Sequence, residues 1–289
     1  MLLVVTVIWG ATFSLTKAAL AVVPVFPYLG MRFLLATGLM LMIALVRMRS
    51  RQHLRRAKSW GTGSALGVLL FAGYALQTLG LKTVAPAVSA FLTGFNVILV
   101  PLIAIPLLGH GASRRTWLAA GMALLGLAVL NGVESVGHWA AGSLFTLACA
   151  VFLALQIVYL DKWAPGLDSI ALTTVELAVV TILSLLFSFV HGSFALPPLS
   201  DWQKPAVVAA VVVNGVLGTA FAYWAQTRYQ QMTSASYVAV IFTMEPVFAA
   251  MIAVLFFHEP LKASLVVGGF MIVFSMLLAD ESLPAAAPT

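Results

Sequence analysis

Charge is the scarcest property of this sequence: Asp, Glu, Lys and Arg make up 8% of its 289 residues, and only nine side chains are acidic. Soluble domains carry about 25% charged residues, so a water-exposed globular protein is excluded. The single cysteine, Cys149, rules out an intrachain disulfide and any metal cluster built on thiolates. No Walker motif, HExxH or Asp-rich pair is present, and His53, His110, His138, His191 and His258 fall in expected loops or at helix ends. Gly142-Ser143 has no histidine within a span to activate its serine. No catalytic residue, cofactor or metal is therefore expected, nor direct driving by ATP. No long linker separates the apolar segments; the Pro/Ala-rich tail at 281–289 is expected to be mobile.

What the sequence does contain is apolar length: 62% hydrophobic residues and a mean hydropathy of +1.06. The runs match a hydrocarbon core of about 30 Å at about 1.5 Å per helical residue, and none shows the alternation of a barrel strand. The expected fold is an all-α membrane protein with ten transmembrane helices near 2–22, 28–46, 60–81, 86–108, 114–131, 140–160, 169–190, 205–226, 235–257 and 263–279. Met1 to Leu15 lacks a positive start and a cleavage site, so it reads as the first span rather than a signal peptide.

Tyr74, Gln77, Thr78, Ala90, Ile103 and Ala104 recur as Tyr223, Gln226, Thr227, Ala239, Ile252 and Ala253, always 149 positions later. Five helices per copy is an odd number, so the second copy enters the membrane from the opposite side. The expected organisation is thus two inverted five-helix repeats, 1–135 and 136–280.

The net charge of +6 is concentrated in Arg47, Arg49, Arg51, Arg55, Arg56 and Lys58. Short basic loops mark the cytoplasmic side. Arg114, Arg115, Lys162 and Arg228 fall in loops on that same side, which places both termini in the cytoplasm and makes nucleic-acid binding the weaker explanation of the charge. The expected partners are a small-molecule substrate and the lipid bilayer; oligomeric state is not encoded legibly.

Polar residues within the spans follow the helical period. Tyr74, Gln77, Thr78 and Lys82 form one stripe, and Tyr223, Gln226, Thr227 and Gln230 form its counterpart. Such stripes serve either as a hydrogen-bonding wall for a solute or as interhelical contacts. Asn96 aligns with Glu245 by the same offset, and a charge at a helix centre costs about 2.5–3.5 kcal/mol to insert. Glu245 is therefore functional, protonated or paired, with Lys17 or Arg32 as candidate partners; Glu176 is the other acid within a span. Trp9 and Phe13 share a face with Thr12 and Thr16, while Tyr159, Trp224, Tyr237 and Phe248 supply further apolar surface. Pro101, Pro106 and Pro246 should kink two repeat-related helices. The Gly63/Gly67 spacing and Gly268-Gly269 suit close helix packing.

Trp9-Gly10-Ala11-Thr12-Phe13 with Lys17, Arg32-Phe33, Glu245-Pro246-Val247-Phe248 and His258-Glu259-Pro260-Leu261 together resemble the EamA-type branch of the drug/metabolite transporter superfamily. The resemblance spans nearly the whole chain. It implies a ten-helix carrier of the inner (plasma) membrane with a cavity formed by helices 1, 3, 4, 6, 8 and 9. The first half departs from it, with His110 where an acid like Glu259 would stand, so Glu259 suits a gate better than a substrate contact. Within the family the chain is most similar to bacterial aromatic amino-acid and metabolite exporters. The expected function is export of amino acids, aromatic or neutral, or similar small metabolites by alternating access; a multidrug or nucleoside-type exporter and a non-transporting membrane scaffold are the alternatives. The residues expected to contact substrate are Trp9, Phe13, Tyr74, Gln77, Thr78, Asn96, Tyr159, Trp224, Gln226, Tyr237 and Glu245, with Pro101, Pro246 and Glu259 as hinge or gate.

Overall fold

The chain displays the side chains that a soluble protein hides. Val46, Leu118, Phe270 and Leu277 are 69–81% exposed, whereas Arg32, Gln156, Glu176, Asn214 and Gln230 are buried. That inversion is what a hydrocarbon solvent selects, because apolar surface costs nothing there and an unpaired polar group costs several kcal/mol. The computed structural model describes residues 1–109, 113–131, 141–190, 198–257 and 263–279, and every regular element among them is helical.

The helices are α1 (Leu2–Leu20), α2 (Val25–Val46), α3 (Met48–Leu54), α4 (Ala57–Leu81), α5 (Pro86–Thr93), α6 (Asn96–Leu108), α7 (Arg114–Asn131) and α8 (Ala141–Trp163). They continue as α9 (Ser169–Val190), α10 (Leu199–Trp202), α11 (Pro205–Gly215), a π-helical turn (Val216–Phe221), α12 (Ala222–Gln230), α13 (Ala235–Phe242), α14 (Met244–Phe257) and α15 (Ala263–Leu278). Counting α5/α6, α11/α12 and α13/α14 as interrupted single crossings, eight spans are long and apolar enough to cross a membrane.

The expected fifth and tenth spans fall at α7 and α15. The first opens on Arg114-Arg115, and the second has 16 residues, about 24 Å of helix against a core of about 30 Å. The two pack against each other through small residues: a Cβ on Gly268 would lie 2.6 Å from the Gly126 carbonyl oxygen and 2.6 Å from the Leu130 amide. The Gly63/Gly67 pair likewise seats α4 on α9, against Val175, Glu176 and Val179. Both glycine motifs therefore serve packing within the chain.

Three crossings are not continuous α-helix. The first of them breaks at Gly94-Phe95, where amide bonds reach back three residues, as from Phe95 to Leu92 and from Val97 to Gly94. Its counterpart breaks at Thr243, 149 positions after Gly94. The helix runs on through Pro101 and Pro106, so the first interruption precedes the expected proline kink. Pro246 does lie beside its break, in the first turn of α14. The π-turn was not foreseen. It forms where Gly215 and Gly218 bring this crossing hard against α2 and α1: added Cβ atoms would lie 3.1 Å from the Arg32 carbonyl oxygen and 2.8 Å from Thr12.

The basic stretch expected to be a loop contains the short helix α3, set off from α2 by extended backbone at Arg47. His53, a residue of α3, is buried, and its Nδ1 accepts the Asp168 amide at 3.2 Å. Asp168 in turn caps α9, its Oδ1 accepting the Ala171 amide at 3.0 Å. Burial, followed by the Arg56 guanidinium, holds the His53 imidazole below its ordinary 6.5, outweighing the opposite pull of Asp168. Between the folded pKa and 6.5 the unfolded chain binds a proton that the folded chain does not, so this stabilisation is complete above about 6.5 and lost as pH falls. The thermal midpoint should therefore drop between pH 7.5 and 5.5, and drop less in His53→Gln.

Candidate functional site

The interior polar groups converge on one central cavity. Trp9, Thr12, Phe13 and Thr16 enter it from α1, and Arg32 from α2. Tyr74, Gln77 and Thr78 come from α4, Thr93 and Asn96 from either side of the α5/α6 break. Leu153, Gln156 and Ile157 on α8, Tyr223 and Gln226 on α12, and Phe242 and Glu245 around the α13/α14 break complete the wall. On α1 and α4 these positions follow the three-to-four-residue period that keeps side chains on one face. The cavity holds about 50 Å³, room for a few waters, so it must widen to admit an organic solute.

One wall is organised by Arg32, which is 3% exposed. Its Nε donates to Thr219 Oγ1 at 2.8 Å, and one terminal nitrogen donates to the Tyr74 hydroxyl at 3.3 Å and the Gly218 carbonyl at 3.4 Å. The guanidinium carbon also lies 4.8 Å from the centre of the Tyr74 ring, a contact worth up to about 2 kcal/mol when desolvated. No carboxylate pairs with Arg32 among the described residues. Gly218 lies within the π-turn, and its carbonyl also accepts a hydrogen bond from Trp9 Nε1 at 2.9 Å. Tyr223, 149 positions after Tyr74, donates its hydroxyl to that of Tyr74 at 3.1 Å.

A second polar network is an amide relay. Gln230 Nε2 donates to the Ile157 carbonyl at 2.6 Å, and Gln226 Nε2 to Gln230 Oε1 at 3.3 Å and Gln156 Oε1 at 3.1 Å. Gln156 Nε2 then donates to Glu176 Oε1 at 2.9 Å. Glu176 is fully buried and does not line the cavity; it holds Gln156, and its second oxygen has no partner. Gln77 donates to Thr93 Oγ1 at 3.1 Å across α4 and α5.

Three acceptors facing the cavity are unused. Asn96 Oδ1 and Gln226 Oε1 are buried without a hydrogen-bond donor, and the Glu245 carboxylate makes no hydrogen bond or ion pair with any described residue. The expected pairing of Glu245 with Lys17 or Arg32 is therefore absent. Lys17 instead donates to the carbonyls of Leu81, Lys82 and Val84, closing the end of α4, and Arg32 is committed to the π-turn. Three contacts per cation, all to dipoles, leave the acid alone. Gly10 makes room for it: a Cβ there would lie 2.8 Å from the Ala249 amide and 2.9 Å from the Glu245 carbonyl oxygen, so α1 rests directly on the turn that carries Glu245.

Of the residues expected at the site, Trp9, Phe13, Tyr74, Gln77, Thr78, Asn96, Gln226 and Glu245 meet in the cavity. Tyr159, Trp224 and Tyr237 lie elsewhere. Tyr159 stacks on Trp163 at 4.2 Å, Tyr237 packs between α6 and α7, and Trp224 faces a peripheral groove beside Phe221. Glu259 lies outside the described residues. Gln156 was missed, although one amide in the middle of the apolar run Cys149 to Leu160 was its signal. Arg32 was expected as a partner for Glu245 and as part of the family motif, but was not placed among the substrate contacts.

The comparisons with known proteins agree with this architecture. The chain is 27% identical over 283 residues to the uncharacterized transporter YvbV of Bacillus subtilis (strain 168), covering 96% of this chain and 90% of that protein. It is 25% identical over 282 residues to an uncharacterized transporter of Archaeoglobus fulgidus, covering 96% and 84%. A solved crystal structure shares the fold, with a TM-score of 0.77 and 21% identity over 95% of this chain and 93% of its own. The EamA-like transporter family matches residues 1–132 and 140–279; the chain belongs to that family, and it is a multi-pass membrane protein.

Proposed function

We propose that the chain is a secondary transporter that exports amino acids, aromatic or neutral, or similar small zwitterionic metabolites across the inner membrane. The observation that carries this reading is the set of groups lining one cavity that have no partner among the described residues: a guanidinium without a counter-ion, an unpaired carboxylate and two amide acceptors without donors. Each group is costly to leave unpaired in a low-dielectric interior. A zwitterion answers both needs at once, its carboxylate meeting Arg32 and its ammonium meeting Glu245, Asn96 and Gln226. Trp9, Phe13 and Phe242 supply apolar surface for a side chain. Tyr74, Gln77, Thr78 and Thr93 complete the polar lining.

Alternating access follows from two inverted five-helix repeats, 1–135 and 136–280, rocking about that cavity. Three observations support the repeat: two family-matched stretches of similar length, helix breaks 149 residues apart, and the Tyr74–Tyr223 hydroxyl contact at the same spacing. In this arrangement Pro246 and the α5/α6 break preceding Pro101 are hinges, Glu259 is a gate, and the arginine-rich face with both termini is cytoplasmic.

The test is flux of labelled amino acids into proteoliposomes. An amine lacking the carboxylate, and an acid lacking the amine, should each compete at least about tenfold more weakly than the parent amino acid, since each forfeits a charged hydrogen bond worth about 1.5–3 kcal/mol. Robust flux of nucleosides or bulky cations with none of any amino acid would sink the substrate assignment.

A further inference from the structure

Away from the central cavity, a second recess lies where α2, α9 and α12 end together on the arginine-rich face. Its polar part, about 550 Å³, is bordered by Arg47, Arg49, Arg228 and Gln231 and by the start of α9. It continues into an apolar groove of about 390 Å³ between α2 and the π-turn, walled by Met40, Ile43, Leu217 and Phe221. Arg47, Ile170 and Trp224 belong to both parts, so the two form one continuous surface.

We infer that this recess binds an anionic glycerophospholipid of the surrounding bilayer, with its phosphate at Arg47 and Arg228 and one acyl chain in the groove. The charge is complementary: three arginines face one aspartate, and Asp168 is occupied by capping α9 and by Arg49 at 3.9 Å. Arg47 and Arg228 have no ion-pair partner among the described residues, and Gln231 Nε2 is a buried donor without an acceptor. Guanidinium and amide donors suit phosphate oxygens. The groove opens outward beside Leu217, which is 45% exposed, and Ile43, which is 36% exposed, so a lipid chain reaches it without leaving the bilayer. Trp224 stands at the junction of the polar and apolar parts, the depth that interfacial tryptophans favour. This gives a role to an aromatic residue that the central cavity does not use. Basic pockets between helix ends are a recurrent means of holding acidic headgroups.

Native mass spectrometry of the purified full chain, titrated with phosphatidylglycerol or phosphatidylcholine of identical acyl chains, tests the site. Phosphatidylglycerol should bind at least about tenfold tighter, and the Arg47→Ala/Arg228→Ala pair should weaken it about thirtyfold. Arg51→Ala/Arg55→Ala, which removes equal charge from the same stretch and its neighbour, should leave binding unchanged. Equal binding of the two lipids would overturn the headgroup site, and equal loss in both variant pairs would show a diffuse basic surface instead. Glycerol 3-phosphate binding as tightly as the lipid would overturn the role of the groove. The wild-type comparison decides the matter even if a variant does not fold.

Discussion

Glu245→Gln is expected to lower amino-acid flux in proteoliposomes by about tenfold to a hundredfold while leaving yield and thermal midpoint unchanged or slightly raised. The magnitude is the difference between a charged and a neutral hydrogen bond to the substrate, about 1.5–3 kcal/mol against about 1, together with the lost attraction to an ammonium in a low dielectric. The unchanged stability follows from the structure: the carboxylate has no partner to lose, and the isosteric amide is cheaper to bury. A structural glutamate would behave oppositely, since breaking a buried pair costs about 3–5 kcal/mol. Unchanged flux at the same protein level would remove Glu245 from the mechanism, and a collapse in yield would make it structural.

The second large effect is expected at Gly10. Even Gly10→Ala places a methyl 2.8 Å from the Ala249 amide nitrogen and 2.9 Å from the Glu245 carbonyl oxygen. Both are backbone atoms that cannot rotate aside. Overpacking of this kind costs about 1–3 kcal/mol, and larger side chains at the position should abolish folding. Domains of 150–250 residues lose about 2–4 °C per kcal/mol, so the thermal midpoint should fall by several degrees. Gly38→Ala is the control, because nothing lies within 4 Å of its added Cβ, and the better helix propensity of alanine should leave the midpoint unchanged or higher. Since Gly10 bears on the turn that carries Glu245, transport should fall further than the loss of folded protein explains. Equal midpoints in the two variants would show that α1 and α14 do not make this contact.

The composition and the helical period made most of this molecule legible. A span of about 20 residues in hydrocarbon has to be helical to satisfy its own backbone, so counting apolar runs located the eight long crossings, and the family resemblance agreed. Polar periodicity picked out the cavity faces of α1 and α4 for the same reason: a costly side chain in an apolar helix has to point inward. Aromatic residues carried no such constraint. Tyr159, Trp224 and Tyr237 are comfortable in lipid, at an interface or in packing, so their presence in a span did not say which way they face. The proline rule also located one break better than the other, because the chain near Gly94 yields before Pro101 is reached.

Membrane insertion, helical secondary structure and the polar character of the interior were thus determined by the sequence itself, since they depend on local free energies of transfer and on the backbone's own hydrogen bonds. Which polar groups are spent on the protein and which are left free was decided only by tertiary structure. Arg32, Glu245 and Glu176 look alike along the chain as charges in apolar helices. Folding commits Arg32 to Thr219 and Gly218 of the π-turn and to Tyr74, and gives Glu176 to Gln156. It leaves Glu245 facing the cavity alone, because pairing is set by distances between helices that no local pattern encodes.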